Sequence, residues 1–245
     1  MTVIGVIPAR WGSTRFEGKV LADVLGKPML QHVWERAAQS SLLSNVLIAC
    51  DDERIVQAAQ EFKARVVLTP RDCLSGTDRI AAAVKDIEAD IVVNIQGDEP
   101  LIDPVVIDSV ARVLRERPDV PVATAIHRIQ AAEDIENPNV VKAVIDHRHH
   151  ALYFSRAAIP YLRDLEADAG PWYYRHIGIY AYRRDFLLAY PDLKPSRLEK
   201  AERLEQLRIL EAGYQIATVE TDYHPRGVDT PQDLKDLIAF MESNP

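Results

Sequence analysis

Along the first half of the chain, short unbroken apolar runs alternate with stretches whose apolar residues recur at helical spacing. Residues 3–7, 46–49, 65–68 and 91–95 read as strands. Between them, residues 28–38 read as a helix with Pro28 near its first turn. Asp51 or Asp52 caps a helix carrying Ile55, Val56, Ala59 and Phe62 on one face. Residues 77–87 are helical, and Asp103-Pro104 opens a helix running to about Glu116. Apolar strands alternating with helices predict a parallel sheet with right-handed crossovers. Such sheets bind ligands at the carboxyl ends of their strands. Chemistry is therefore expected after Ile7, Ala49, Leu68 and Ile95.

After about residue 121 the rhythm changes. Residues 122–127, 140–145 and 151–155 read as strands without long helices between them, which predicts mixed or antiparallel pairing. One long amphipathic helix is expected over residues 197–212, with Leu198, Ala201, Leu204, Leu207, Ile209 and Leu210 on its apolar side. No linker, composition shift or internal repeat divides the chain. The expectation is one α/β domain over residues 1–245: a Rossmann-like, mostly parallel sheet flanked by helices, with a smaller mixed-strand section.

Composition narrows the picture. The 245 residues are 47% hydrophobic and 27% charged, the profile of a soluble globular protein, and the formal charge of -8 argues against a nucleic-acid binder. No apolar run is long enough to span a bilayer. The N-terminus lacks a basic region and cleavage site and reads as a first strand, so a cytoplasmic location is expected. Cys50 and Cys73, at or near strand ends, read as reduced, largely buried thiols. The His147-Arg148-His149-His150 tract reads as a polar hairpin turn that needs no metal.

The segment after the first strand, Pro8-Ala9-Arg10-Trp11-Gly12-Ser13-Thr14-Arg15-Phe16-Glu17-Gly18-Lys19, joins glycines and hydroxyls to Arg10, Arg15 and Lys19. Glycine lets backbone N–H groups approach an anion, and guanidinium forks match phosphate oxygens. The loop suits a polyphosphate. It is not a Walker A loop, because five residues separate Gly12 from Gly18 and Val20 replaces the metal-binding hydroxyl. It also lacks the Gly-x-Gly-x-x-Gly fingerprint of dinucleotide binders.

Gln96-Gly97-Asp98-Glu99-Pro100 follows the fourth strand, where Gly97 permits a sharp turn and Asp98 is a candidate magnesium ligand. Asp229 reads equally well as a second ligand or as a helix cap before Pro231; Glu99 and Asp233 read as solvated or helix-end charges. Ser75 or Thr77 caps the helix that carries Arg79, whose free N–H groups would suit a nucleotide. Taken singly, His176 and Tyr180 read as packed core residues, and Glu205 and Arg208 as a helical ion pair.

The loop from Ile7 to Lys19 resembles the signature of the sugar-acid cytidylyltransferases. The similarity continues through Gly26-Lys27-Pro28-Met29, Ser75-Gly76-Thr77-Asp78-Arg79, Asn94-Ile95-Gln96-Gly97-Asp98-Glu99-Pro100 and Tyr153-Phe154-Ser155-Arg156. It extends to Arg175-His176-Ile177-Gly178-Ile179-Tyr180, Leu204-Glu205-Gln206-Leu207-Arg208 and Gly227-Val228-Asp229-Thr230-Pro231. These blocks, in this order, resemble the 3-deoxy-D-manno-octulosonate (Kdo) cytidylyltransferases. The resemblance implies a nucleotide-diphospho-sugar transferase fold and the reaction of CTP with Kdo to CMP-Kdo and pyrophosphate, for lipopolysaccharide biosynthesis. It implies Ala9, Arg10, Ser13, Arg15, Lys19, Ser75, Arg79 and Gln96 around the nucleotide. It places Gln96, Arg156, His176, Tyr180, Tyr182 and Glu205 around the sugar, with Arg10, Arg15, Lys19 and Asp98 in catalysis. It tips Asp229 toward joining Asp98 on Mg²⁺, and it implies a homodimer whose partners are CTP and a keto-sugar acid, with no nucleic acid or membrane. Glu17 departs from the proline usual in that family, which suggests weakened triphosphate binding or a pair with Arg15 or Lys19. The rival readings are a transferase for 8-amino-Kdo or a sialic acid, a sugar 1-phosphate enzyme, and a non-catalytic nucleotide sensor.

Overall fold

The computed structural model describes residues 1–12, 16–163 and 173–244. Its strands are β1 (Val3–Ala9), β2 (Asp23–Val24), β3 (Lys27–Pro28), β4 (Asn45–Cys50), β5 (Arg65–Leu68), β6 (Ile91–Asn94), β7 (Val122–Arg128), β8 (Lys142–Ile145), β9 (Ala151–Ser155), β10 (Tyr174–Arg183) and β11 (Ile216–Glu220). Its α-helices are α1 (Met29–Ala37), α2 (Glu53–Glu61), α3 (Gly76–Ala83), α4 (Pro104–Glu116), α5 (Ala132–Glu136), α6 (Arg184–Ala189), α7 (Arg197–Glu202), α8 (Gln206–Glu211) and α9 (Pro231–Ser243).

The central sheet runs β11-β7-β10-β6-β1-β4-β5. β5, β4, β1 and β6 are parallel neighbours, as the alternation of strand and helix requires. β10 runs antiparallel to both β6 and β7, and β11 is again parallel to β7. The mixed section is thus continuous with the parallel one, because the long strand β10 joins them and also pairs with β8. This agrees with the expected mostly parallel, helix-flanked architecture.

Period-two alternation divides the core. Val3, Ile7 and Ala9 of β1 pack with Leu30 and Val33 of α1, Ile55 of α2 and Val110 of α4. Ile4 and Val6 point to the other face, against Ile80 of α3, Phe186 of α6 and Leu207 of α8. Each such fully buried aliphatic contributes about 1.5–3 kcal/mol relative to an exposed one. The caps follow side-chain chemistry: Asp52, Ser75, Asp103, Ser196 and Thr230 accept the first N–H groups of α2, α3, α4, α7 and α9.

Two expectations need correction. α3 ends at Ala83, short of Ile87. The single helix expected over residues 197–212 is two helices, α7 and α8, broken at Arg203, which has φ 54° and ψ 49°. Leu198, counted on the apolar stripe, is 38% exposed, while Gln206, Leu207, Arg208 and Ile209 are all buried. The apolar spacing belongs to two faces of two helices. The expected Glu205–Arg208 pair is also absent: Arg208 Nε donates to Glu199 Oε2 at 2.8 Å across the break.

Candidate active site

The carboxyl ends of β1, β5 and β6 open onto a cavity of about 690 Å³. Arg10 and Lys19 from the loop after β1, Ser75 and Arg79 from the start of α3, Gln96, Gly97 and Asp98 after β6, and Asp229 line it. A second cavity of about 500 Å³ continues beside it, lined by Arg156, His176, Tyr180, Tyr182 and Glu205. Gln96, Arg203, Glu205 and Asp229 line both. The two groups expected around a nucleotide and a sugar acid therefore face adjoining spaces. Ser13 and Arg15 lie outside the described residues. Ala9 is fully buried, so its side chain belongs to the core and only its backbone is available to a ligand.

At the floor, the Lys19 ammonium donates to Asp98 Oδ2 at 2.7 Å, Asp229 Oδ1 at 3.0 Å and the Val228 carbonyl at 3.0 Å. All three donors of the ammonium are engaged. Burial works against its charge, but Asp98 and Asp229 outweigh that penalty and hold the Lys19 pKa above its ordinary value. The Val228 N–H donates to the Asp98 carbonyl at 2.9 Å, which ties the C-terminal segment to the β6 loop. Gly97 lets the same loop lie close against β1: a Cβ there would lie 3.0 Å from the Pro8 carbonyl oxygen.

The reading of Asp229 as a helix cap fails, because Thr230 caps α9 in a reciprocal box with Asp233. Asp233 is the helix-end charge expected of it. Glu99 is no solvated charge: it accepts from the Tyr223 hydroxyl at 3.0 Å, and burial, then the neighbouring Asp98, push its pKa up to about 7.

The donor set fits a hard divalent cation. Two carboxylates and a carbonyl converge on one point, now held by the Lys19 ammonium, and magnesium favours one or two carboxylates completed by substrate phosphates and water. Among the described residues no cluster of three or more His, Cys, Asp or Glu is arranged as a complete metal cage.

The basic loop is held from behind. Trp11 N–H donates to Asp51 Oδ1 and its indole N–H to Glu17 Oε1, both at 2.9 Å. The Arg54 guanidinium stacks on the Trp11 ring. Gly18, at φ 67°, lies against that ring so closely that a Cβ would sit 2.9 Å from it. Glu17 thus pairs with the indole, and Lys19 bonds elsewhere. Arg79, expected to face phosphate, donates to Asp51 Oδ2 at 2.9 Å and Thr69 Oγ1 at 2.6 Å, so its charge anchors the same loop.

On the sugar side, Glu202 and local carbonyls orient Arg156: its Nε donates to the Glu202 carbonyl and its Nη1 to the Pro138 carbonyl. The ammonium of the fully buried Lys142 donates to the Arg156 carbonyl. Thr124 Oγ1 lies 2.7 Å from the Ile179 carbonyl and 3.0 Å from His176 Nε2. A hydroxyl has one proton, so if that proton goes to the carbonyl, His176 Nε2 is the donor to Thr124 and Nδ1 is left as an acceptor. Burial, then Arg175, lower the His176 pKa to about 3, so the ring is neutral. Glu205 accepts from Thr77 Oγ1 at 3.3 Å, and although its carboxylate opens on the cavities, desolvation in the recess raises its pKa. Burial raises Tyr180 and Tyr182 well above the ordinary phenol range.

Sequence reasoning missed Asn94, Thr77, Arg203, Gln206 and Cys73 as lining residues. Asn94, Thr77 and Gln206 had a signal, since all three lie inside the family-like blocks; Arg203 had none, because the helix break is invisible in the apolar spacing. Cys50 is buried, its pKa pushed up to about 11 by burial, whereas Cys73 is only partly buried at the cavity wall. The histidine tract forms the β8–β9 turn, with Asp146 accepting from the Arg148 and His150 N–H groups.

An open α/β sheet with a loop of cations after its first strand and paired carboxylates over its carboxyl edge defines a nucleotidyltransferase-type protein. A cytidylyltransferase family model matches residues 4–216. The 3-deoxy-manno-octulosonate cytidylyltransferase of Solibacter usitatus (strain Ellin6076) is 54% identical, over 99% of this chain and 95% of that protein. The enzyme of that name from Geobacter sulfurreducens (strain ATCC 51573 / DSM 12127 / PCA) is 48% identical, over 99% and 100%. A solved CMP:2-keto-3-deoxy-manno-octonic acid synthetase complexed with CTP superposes with a TM-score of 0.95 at 46% identity, covering 100% of both chains. A cytidylyltransferase from Leptospira borgpetersenii, at 17% identity and TM-score 0.64, shares the fold. The chain belongs to the 3-deoxy-manno-octulosonate cytidylyltransferase family.

Proposed function

We propose that this protein activates 3-deoxy-D-manno-octulosonate with CTP, giving CMP-Kdo and pyrophosphate for lipopolysaccharide assembly. The observation that carries the reading is the convergence of Lys19, Asp98 and Asp229 where two cavities adjoin, the first lined by Arg10, Lys19 and Arg79 and the second by His176, Tyr180 and Tyr182 with Arg156, Arg203 and Glu205. The anomeric hydroxyl oxygen attacks the α-phosphorus in line. The bond to the β-phosphate oxygen breaks, pyrophosphate leaves with that electron pair, and the hydroxyl proton passes to solvent. Positioning and charge stabilisation supply most of the rate in such transfers.

Arg10 lines the first cavity, where its charge, together with that of Arg15, would neutralise the leaving pyrophosphate. Neutral His176 and the protonated tyrosines Tyr180 and Tyr182 offer hydrogen bonds to sugar hydroxyls without adding charge. Asp98 and Asp229 would hold a magnesium ion, which when bound supplies Lewis-acid stabilisation of phosphoryl oxygens. Lys19 bonds the same carboxylate oxygens, so with a magnesium ion held there its ammonium would be available to phosphate oxygens instead.

The test is pyrophosphate release with CTP, ATP, GTP and UTP, each against Kdo, 8-amino-Kdo and a sialic acid. Turnover confined to CTP with Kdo and abolished by excess chelator is expected. Equal turnover with ATP, or a preference for another sugar acid, sinks the reading. The same reading includes a cytoplasmic homodimer. The exposed Leu152 on β9, which among the described residues pairs only with β8, and the exposed Tyr161 support self-association. Sedimentation showing a fully active 27.6 kDa species alone would exclude it.

A further inference from the structure

Arg203 is a cation without a structural task. It closes α7 in the left-handed region, at φ 54° and ψ 49°, where glycine is the residue that fits without strain. Strain of this kind persists where surrounding structure or function requires it. The break it makes sets α8 at a new angle and turns the Arg203 side chain to line both cavities. Among the described residues that side chain makes no hydrogen bond or ion pair, and it is exposed.

Three of the other cations on these walls, Lys19, Arg79 and Arg156, are committed. Lys19 is engaged by Asp98 and Asp229, and Arg79 by Asp51. Arg156, the cation expected for an acid ligand, donates its Nε and Nη1 to backbone carbonyls. Arg10 lacks a partner among the described residues, but it lines only the first cavity. In the second cavity the ligand meets Glu205, His176 held neutral, and tyrosines held protonated. Among the described residues lining that cavity, Arg156 has its Nε and Nη1 turned to carbonyls while Arg203 keeps its whole guanidinium fork free, and such a fork matches a carboxylate bidentately.

We propose that Arg203 binds the carboxylate of the sugar acid at the junction of the two cavities and so helps the enzyme select an acid over a neutral ketose. This rests on the reading of the protein as a Kdo-activating enzyme. It carries a corollary: the residue that best fits the backbone at this position, glycine, abolishes the contact.

Steady-state kinetics of pyrophosphate release with CTP and Kdo test it, using Arg203→Met, Arg203→Lys and Arg203→Gly, and the methyl ester of Kdo as a competitor. Loss of a charge-assisted hydrogen bond predicts a KM for Kdo raised about tenfold or more in Arg203→Met, with the KM for CTP within about twofold. Arg203→Lys recovers part of the loss. Arg203→Gly melts above the wild type yet shares the raised KM. The wild type prefers acid to ester, and Arg203→Met narrows that preference. An unchanged KM for Kdo in Arg203→Met, or a rise confined to CTP, overturns the assignment while leaving the enzyme reading intact. A wild-type protein that does not turn over CTP and Kdo takes both away.

Discussion

Lys19 shows how one side chain serves fold and chemistry. Its ammonium bridges a loop after β1, a loop after β6 and the C-terminal segment through Asp98, Asp229 and the Val228 carbonyl. Lys19→Met removes the charge but keeps the stem. We expect turnover to fall by about two orders of magnitude or more, since removing one preorganised electrostatic partner costs on that scale. Full activity in that variant, measured by pyrophosphate release, would place Lys19 outside the chemistry. His176 makes a different prediction, about pH. Its folded pKa of about 3 lies below the ordinary value near 6.5. Between those values the unfolded chain takes up a proton that the folded protein refuses. The stabilisation is complete above about pH 6.5 and is lost as pH falls toward 3, by up to about 1.4 kcal/mol per unit. His176→Gln keeps a donor for Thr124 and does not titrate. Its melting temperature should therefore fall less steeply on acidification than that of the wild type, and parallel curves would contradict the shift.

The elements that shape the site are short, and each depends on a few contacts. The loop after β1 turns at Gly18, whose φ of 67° and close approach to Trp11 leave no room for a Cβ. Gly18→Ala should cost about 1–2 kcal/mol and raise the KM for CTP, because the strain falls on the loop that carries the phosphate-facing cations. A denaturant midpoint and KM like the wild type's would show that the loop relaxes freely. Across the α7–α8 break, Arg208 and Glu199 are paired and largely buried, and Glu199 also completes the Ser196 capping box. Arg208→Met strands a buried carboxylate. A loss of about 3–5 kcal/mol in urea unfolding is expected, well beyond the under 1 kcal/mol of an exposed pair.

At the scale of the molecule, the site is assembled from distant parts. Asp229 reaches Asp98 because Val24, Met29, Val228 and Leu237 form a small separate cluster that clamps α9 and the segment before it onto the loop after β1 and the start of α1. Leu237 is 4% exposed and lines neither of the two cavities. Leu237→Ala should cost about 2–5 kcal/mol and, by loosening the clamp, lower turnover and raise the metal concentration needed for half-maximal activity. A stability loss with an unchanged metal requirement would separate the clamp from the positioning of Asp229.

Much of this was legible in the chain. Strands buried on both faces announce themselves as β-branched runs, so β1, β4 and β6 and the carboxyl edge they share follow from local pattern; the same pattern narrows the caps to Asp51 or Asp52 and Ser75 or Thr77, and the structure selects Asp52 and Ser75. The concentration of cations after β1 and the Gln96–Asp98 turn pointed to the right edge for the same reason: backbone periodicity fixes which end of a parallel strand a loop leaves. What the periodicity does not carry is which distant charges meet. Glu205 and Arg208 have helical spacing, yet Arg208 bonds Glu199, because the chain breaks at Arg203 to bury residues 206–209. Asp229 fits a cap or a ligand by sequence; the Thr230–Asp233 box at the start of α9 rules out the cap, and the folding back of residues 227–229 onto the β6 loop brings Asp229 to Asp98. Local propensity and burial are determined residue by residue along the chain, whereas the pairing of charges far apart in sequence is decided by the tertiary fold that brings them into contact.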